Sequence, residues 1–214
     1  MEKFDRLTGI AAPLLLENIN TDAIIPVPWI VNFGRDLGQG LFGGWRYDAA
    51  EREKPDFVLN QPPYREARIL LAGRNFGCGS SREEAVWALL GFGIRCVIAP
   101  SFGDIFFENS FKNGLLPVVL EPDGVTVLAR AIAEGPSPVL TVDLEACTVG
   151  APRGPQLSFT IQEGRRRNLL LGLDEIGQTL AHDADIERFQ AADRVRRPWI
   201  YPERVRARQG SARA

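Results

Sequence analysis

An α/β fold with a central, partly parallel sheet is predicted by two features of this 214-residue sequence. Short apolar runs at 68–72, 95–100 and 116–120 alternate with helical patterns at 81–91 and 101–113, and strand–helix–strand order favours parallel pairing. Segments on either side of this unit suit further strands at the sheet edges. With 45% apolar and 24% charged residues the chain can bury an ordinary globular core. The expected organisation is a single domain over 1–193 that ends in helices, followed by a basic, flexible tail over 194–214.

Residues 8–16 are mostly apolar and fit a first strand. Asn18-Ile19-Asn20-Thr21-Asp22, followed by Pro26 and Pro28, reads as a loop. Residues 29–56 carry Gly34, Gly38, Gly40, Gly43 and Gly44 and show no clean period. A long irregular segment in a domain is usually functional or disordered. Here Trp29, Phe33, Phe42, Trp45 and Tyr47 argue against disorder. Arg68-Ile69-Leu70-Leu71-Ala72, closed by Gly73, is a buried strand. The helix at 81–91 carries Ala85, Val86, Ala88, Leu89 and Leu90, with Gly91 and Gly93 as stops. Residues 95–100 form the second buried strand. The helix at 101–113 takes Ser101 as its N-cap and Gly114 just past its end, and 116–120 is the third strand. Val125, Leu128, Ala129 and Ile132 are spaced for a helix over 122–133. Residues 139–149 and 156–161 suit antiparallel strands joined by a turn at 150–155, and 164–192 return to helix.

Composition excludes several classes. Net charge is −2, against a nucleic-acid protein. Residues 194–214 hold seven arginines against the single acid Glu203, a local charge of +6, so the other 193 residues carry −8. No apolar run approaches the ~18 residues of a membrane span, and the start, Met1-Glu2-Lys3-Phe4-Asp5, is unlike a secretory signal. A cytoplasmic protein is expected, with neither a membrane nor a nucleic-acid partner. The three cysteines, Cys78, Cys96 and Cys147, are widely spaced, so no metal site is expected in this chain. The single histidine, His182, fits a structural role near a helix terminus.

The most informative stretch is Gly73-Arg74-Asn75-Phe76-Gly77-Cys78-Gly79-Ser80-Ser81-Arg82-Glu83-Glu84. It lies at the carboxyl end of a predicted strand, where α/β proteins place ligands. Its glycines permit close backbone approach. The helix start favours an anion, and Arg82 offers a planar fork for a carboxylate. A second reading needs no chemistry, since Ser80–Glu83 and Ser81–Glu84 each match a capping box. Neither a dinucleotide nor a P-loop signature is present.

Asn75-Phe76-Gly77-Cys78-Gly79-Ser80-Ser81-Arg82-Glu83 closely resembles the signature of the swivelling domain of the aconitase superfamily. More narrowly, the chain resembles the small subunits of bacterial 3-isopropylmalate dehydratases from about residue 4 to about residue 189. Asn20-Thr21-Asp22-Ala23-Ile24-Ile25-Pro26, Ile98-Ala99-Pro100-Ser101-Phe102-Gly103-Asp104, Asn113-Gly114-Leu115-Leu116-Pro117 and Gly172-Leu173-Asp174 all fit in order. The resemblance implies a swivelling β/β/α domain. It implies isomerisation of 2-isopropylmalate, a small dicarboxylate, to 3-isopropylmalate by loss and re-addition of water, in leucine biosynthesis. It also implies a [4Fe–4S] cluster carried by a separate large subunit, this chain alone binding none.

On the same footing Ser80 is the catalytic base, and Ser81, Arg82, Thr21 and Asp22 bind substrate. Cys78 is read as loop geometry. The apolar start of the variable segment, Val27-Pro28-Trp29-Ile30-Val31, suits an isopropyl group, while Arg35 and Arg46 leave a further carboxylate open. Three positions depart from the usual motif: Glu84 stands where a histidine is common, Val86 where a proline is common, and Arg74 where an acid or small polar residue is expected. Two other functions stay open: a related dehydratase for another 2-alkylmalate or a homocitrate-type acid, and a non-catalytic ligand-binding module.

Overall fold

A computed structural model of the chain describes residues 1–32, 34–80 and 82–201. By its contacts the chain divides into a first unit, Met1–Asp174, and a second that begins at Glu175.

In the first unit the central strand is β1 (Arg6–Leu14). On one side it pairs in parallel with β2 (Ala67–Ala72), and β3 (Cys96–Ala99) and β4 (Leu116–Val119) continue the parallel run. On the other side it pairs antiparallel with β5 (Val139–Asp143), followed by β6 (Thr148–Gly150) and β7 (Gln156–Ser158). Among the described residues this gives one seven-stranded sheet in the order β4-β3-β2-β1-β5-β6-β7. It is the partly parallel α/β sheet that the sequence predicts.

The parallel strands are apolar throughout because both of their faces are covered. Alternate residues feed two cores. Leu70, Ala72, Val97 and Ala99 face one, with Ala85, Val86, Ala88 and Leu89 of a helix over 83–92. Ile69, Leu71, Cys96 and Ile98 face the other, with Val125, Leu128 and Ile132 of a helix over 122–134. Burial pushes the Cys96 thiol far above its ordinary pKa, so it stays protonated and behaves as a small apolar side chain.

The irregular segment after β1 is ordered by four one-turn helices: α1 (Thr21–Ile24), α2 (Val27–Ile30), α3 (Leu37–Gly40) and α4 (Gly43–Arg46). Its aromatics pack as expected for a folded loop. Phe42 stacks on Trp45 with centroids 5.6 Å apart, and Trp29 stacks on Tyr47. Phe33 lies outside the described residues. The longer helices of this unit are α5 (Glu83–Phe92), α6 (Asp104–Asn113), α7 (Pro122–Glu134) and α8 (Glu163–Leu171).

Three expectations about boundaries are corrected. Gly91 is inside α5 rather than a stop; Gly93 ends that helix. The backbone of α3 crosses α5 there: a Cβ on Gly38 would lie 2.3 Å from the Gly91 carbonyl carbon. The helix expected from 101 starts at Asp104 with Gly103 at the cap position, because Ser101 is engaged elsewhere. Finally, 139–149 is a hairpin rather than one strand. Asp143 Oδ1 accepts the Ala146 N–H (2.8 Å), and Cys147 turns the chain at φ +52°.

Gly38→Ala should therefore destabilise the protein by about 1–3 kcal/mol, since backbone meets backbone and no side chain can move aside. Gly164→Ala in α8, with open space around it, should be neutral or stabilising by up to ~1 kcal/mol. Urea titration of both variants measures the difference.

The second unit contains α9 (Glu175–Leu180), α10 (Asp183–Arg196) and a 3₁₀ turn, Pro198–Ile200. Residues 194–196 of the basic stretch thus end a helix, and 202–214 lie outside the described residues.

Candidate active site

The loop at 73–80 leaves β2 at its carboxyl end and is stitched on both sides. Toward the loop before α1, the Gly77 N–H donates to the Ile19 carbonyl (2.7 Å) and the Thr21 N–H to the Cys78 carbonyl (3.0 Å). Toward the loop before α6, the Phe76 N–H donates to the Ser101 carbonyl (3.1 Å) and the Gly103 N–H to the Phe76 carbonyl (2.9 Å). Ser101 Oγ accepts the Asn75 N–H at 2.9 Å, which is why Ser101 caps no helix.

Phe76 is fully buried and meets the rings of Phe102 and Phe106 edge-on. Only glycine fits at 77. Its φ is +73°, and a Cβ there would stand 2.2 Å from Phe106 Cγ. The result is a fixed loop whose far end, Gly79 and Ser80, is exposed to solvent. A cleft of about 310 Å³ runs beside it, lined by Cys78, Gly79, Phe102, Asp104, Ile105 and others.

The structure brings together the predicted site residues it describes. Thr21 is buried, and its Oγ1 donates to the Ser80 carbonyl at 2.7 Å, fixing the backbone that carries the Ser80 hydroxyl. Arg82 Nη1 pairs with Asp22 Oδ1 at 2.5 Å and reaches the Ile25 carbonyl at 3.5 Å. The Arg82 side chain is 22% exposed and that of Asp22 57%, so the pair sits at the wall of the site, not deep in the core. Ser81 lies outside the described residues.

The capping-box reading of Ser80 does not match. The cap position of α5 is Arg82, with an extended backbone, and Ser80 stands two residues before it. The Glu83 carboxylate that such a box would use accepts instead from Asn113 Nδ2 at 2.7 Å. Asn113 also accepts from Trp87 Nε1 at 2.9 Å, so it pins the first turn of α5 to the end of α6. In the sequence Asn113 stands at a helix end and in a motif of the family resemblance, with no sign of this contact. Its neighbour Gly114 gave a local signal for the helix end, whereas a contact across 30 residues has none. Glu84 is half-buried in the first turn of α5, where a carboxylate suits the positive end of the helix dipole.

Both arginines of the variable segment are engaged elsewhere. Arg46 is 6% exposed; its Nε donates to Asn60 Oδ1 (3.0 Å), and its guanidinium lies over the rings of Tyr47 and Phe92. Desolvation by burial lowers its pKa. Arg35 lies over Trp29 and pairs with Glu51. Val27 and Val31 are exposed instead.

His182 occupies the cap position of α10 and is largely exposed, 3.9 Å from Asp185. Cys78 is partly exposed at the cleft, and Cys147 Sγ donates to the Leu144 carbonyl. Among the described residues no three His, Cys, Asp or Glu side chains gather closely enough to hold a metal ion.

Known proteins match this chain over nearly all of its length. Residues 1–123 match the family model of the aconitase C-terminal domain, and 175–203 match that of the C-terminal domain of 3-isopropylmalate dehydratase small subunits. The chain is 53% identical over 201 residues to a 3-isopropylmalate dehydratase small subunit of Dinoroseobacter shibae, covering 94% of this chain and all of that one. The protein of the same name from Gluconobacter oxydans is also 53% identical, over 94% of this chain and 96% of that one. That from Agrobacterium fabrum is 51% identical, over 93% and 100%. The fold is that of a solved 3-isopropylmalate dehydratase from Methanocaldococcus jannaschii, with a TM-score of 0.62 and 24% identity over 86% of this chain and 98% of that one.

Proposed function

The chain belongs to the family of 3-isopropylmalate dehydratase small subunits, and from that premise we propose that it completes an isomerase converting 2-isopropylmalate to 3-isopropylmalate in leucine biosynthesis. The observation that carries the reading is the gathering of Thr21, Asp22, Ser80 and Arg82 at one exposed loop end. Activity requires a large subunit. No helix among the described residues is long and apolar enough to cross a membrane, and we place the enzyme in the cytoplasm.

The residues act as follows. Ser80 takes the proton from the substrate carbon during dehydration and returns one during hydration. A neutral serine hydroxyl is too weak a base, so Ser80 acts as the alkoxide and becomes the neutral hydroxyl when it takes the proton; positive potential from Arg82 and the N-terminal end of α5 stabilises that alkoxide. Arg82 binds a substrate carboxylate. Asp22 stands in the same site and fixes the guanidinium through Nη1, and Thr21 fixes Ser80 through its carbonyl. Ser81 donates a hydrogen bond to the substrate. The isopropyl group meets the apolar surface that begins at Val27. The engagement of Arg35 and Arg46 favours this substrate over one with a further carboxylate.

The cysteines of this chain do not fit a cluster: Cys96 is sealed in the core, and among the described residues neither Cys78 nor Cys147 belongs to a ligand group. We assign a [4Fe–4S] cluster to the large subunit, where it supplies a Lewis acid for the departing hydroxyl.

Mixing the chain with its large subunit under anaerobic conditions, and following 3-isopropylmalate chromatographically, tests the reading. The pair should turn over 2-isopropylmalate and the chain alone should be inert. Conversion of another 2-alkylmalate in preference to it would overturn the substrate assignment.

A further inference from the structure

We infer that the second unit is a docking handle for the large subunit, with Trp199 and Ile200 as its anchor. The inference rests on the reading of the chain as one subunit of a two-chain enzyme.

It starts from Asp193. This aspartate is 3% exposed, in a helix whose other residues are mostly exposed. A buried carboxylate is costly unless its oxygens are satisfied, and four donors satisfy this one. Arg197 binds it with both prongs of its fork, Nε at 2.7 Å and Nη2 at 2.8 Å. Arg196 Nη2 reaches it at 3.2 Å and the Tyr201 hydroxyl at 3.1 Å. Arg194 lies over the Tyr201 ring.

These bonds fold residues 197–201 back against the end of α10, beyond the stop that Pro198 imposes. The turn so fixed buries none of its own apolar side chains. Trp199 is 74% exposed and Ile200 49%. Ile176 and Leu180, four residues apart on α9 and so on one face of it, are exposed as well, as is Phe189 of α10. Six of the fifteen large apolar side chains that are exposed among the described residues fall within 176–200. Single exposed apolar residues need no explanation; six of them on two helices and a pinned turn are the side chains that the proposed interface would bury.

Two observations identify the occupant. The aconitase C-terminal domain accounts for 1–123 and ends well before this unit. Family models of the dehydratase small subunit take up 126–163, in the first unit, and 175–203, which takes in α9, α10 and the turn. A segment particular to the separate small chain is where a contact replacing chain continuity belongs. The chemistry agrees: residues 194–214 carry +6, and Trp, Tyr and Arg dominate binding hot spots. The complementary surface on the large subunit is an apolar pocket with an acidic rim.

The test is the affinity of full-length Trp199→Ala and Asp193→Asn chains for the purified large subunit, by isothermal titration calorimetry. Trp199→Ala should raise Kd at least tenfold, with kcat at saturating large subunit within twofold of wild type and the far-UV spectrum unchanged. Asp193→Asn, which unpins the turn, should shift Kd in the same direction. Val127→Ala, an exposed apolar position on α7, should leave Kd unchanged. Wild-type affinity for Trp199→Ala overturns the inference. So does retained affinity with loss of self-association or of RNA binding, because the surface would then serve a second copy or a nucleic acid. If Trp199→Ala breaks a complex that never turns over 2-isopropylmalate, docking stands and the substrate assignment fails. If Trp199→Ala keeps normal affinity and normal turnover, the substrate assignment stands and docking through Trp199 fails.

Discussion

Ser80→Ala, assembled with its large subunit, is expected to lower kcat by about 10²–10⁴-fold, the range for loss of a positioned acid–base group. KM should change far less, because a base acts on the way to the transition state and contributes little to holding the substrate. The melting temperature should stay near that of wild type. The last expectation rests on position: Ser80 is exposed, and its tie to Thr21 runs through its backbone carbonyl, which alanine keeps. A capping serine would behave differently. Its loss would cost roughly 0.5–2 kcal/mol of stability and leave the turnover of the folded enzyme intact. The cap position of α5 is Arg82, two residues further on, so the two accounts separate cleanly. Ser81→Ala measured in parallel shows which of the adjacent hydroxyls carries the step. A Ser80→Ala enzyme with near wild-type kcat would remove Ser80 from the mechanism.

How far this site could be read from sequence depends on the range of each contact. Strands β2, β3 and β4 were legible because buried parallel strands leave continuous apolar runs. Gly93 and Gly114 marked helix ends correctly because a left-handed cap is a local requirement. The helix starts at 83 and 104 were less legible. Ser101 has the chemistry of a cap, but the Asn75 N–H takes its hydroxyl from 26 residues away. Gly91 reads as a stop in one dimension and is a crossing point with Gly38 in three. Arg46 reads as a substrate-binding candidate, and only the structure places it between Tyr47 and Phe92 on Asn60. The gathering of Thr21 and Asp22 with Ser80 and Arg82 spans about sixty residues, and no local period encodes it. Motif order and family resemblance supplied it.

Arg82→Lys should raise KM for 2-isopropylmalate by about 10–100-fold, the equivalent of losing one charge-assisted hydrogen bond. The reason is geometric. Asp22 and the Ile25 carbonyl both engage Nη1, and among the described residues no hydrogen bond reaches Nε or Nη2. The guanidinium can therefore stay tied to Asp22 while its other edge meets a carboxylate. A lysine ammonium is a single point charge on a flexible stem and has no second edge. Asp22→Asn provides the complementary measurement. It keeps an acceptor for Nη1 but removes the negative charge, so it should move KM by less than Arg82→Lys does, and it should not rescue the lysine variant, whose defect is shape rather than competing charge. Steady-state kinetics of the two single variants and the double variant distinguish the cases. If Asp22→Asn restores wild-type KM to Arg82→Lys, charge competition sets the affinity and the bidentate role of Arg82 is wrong.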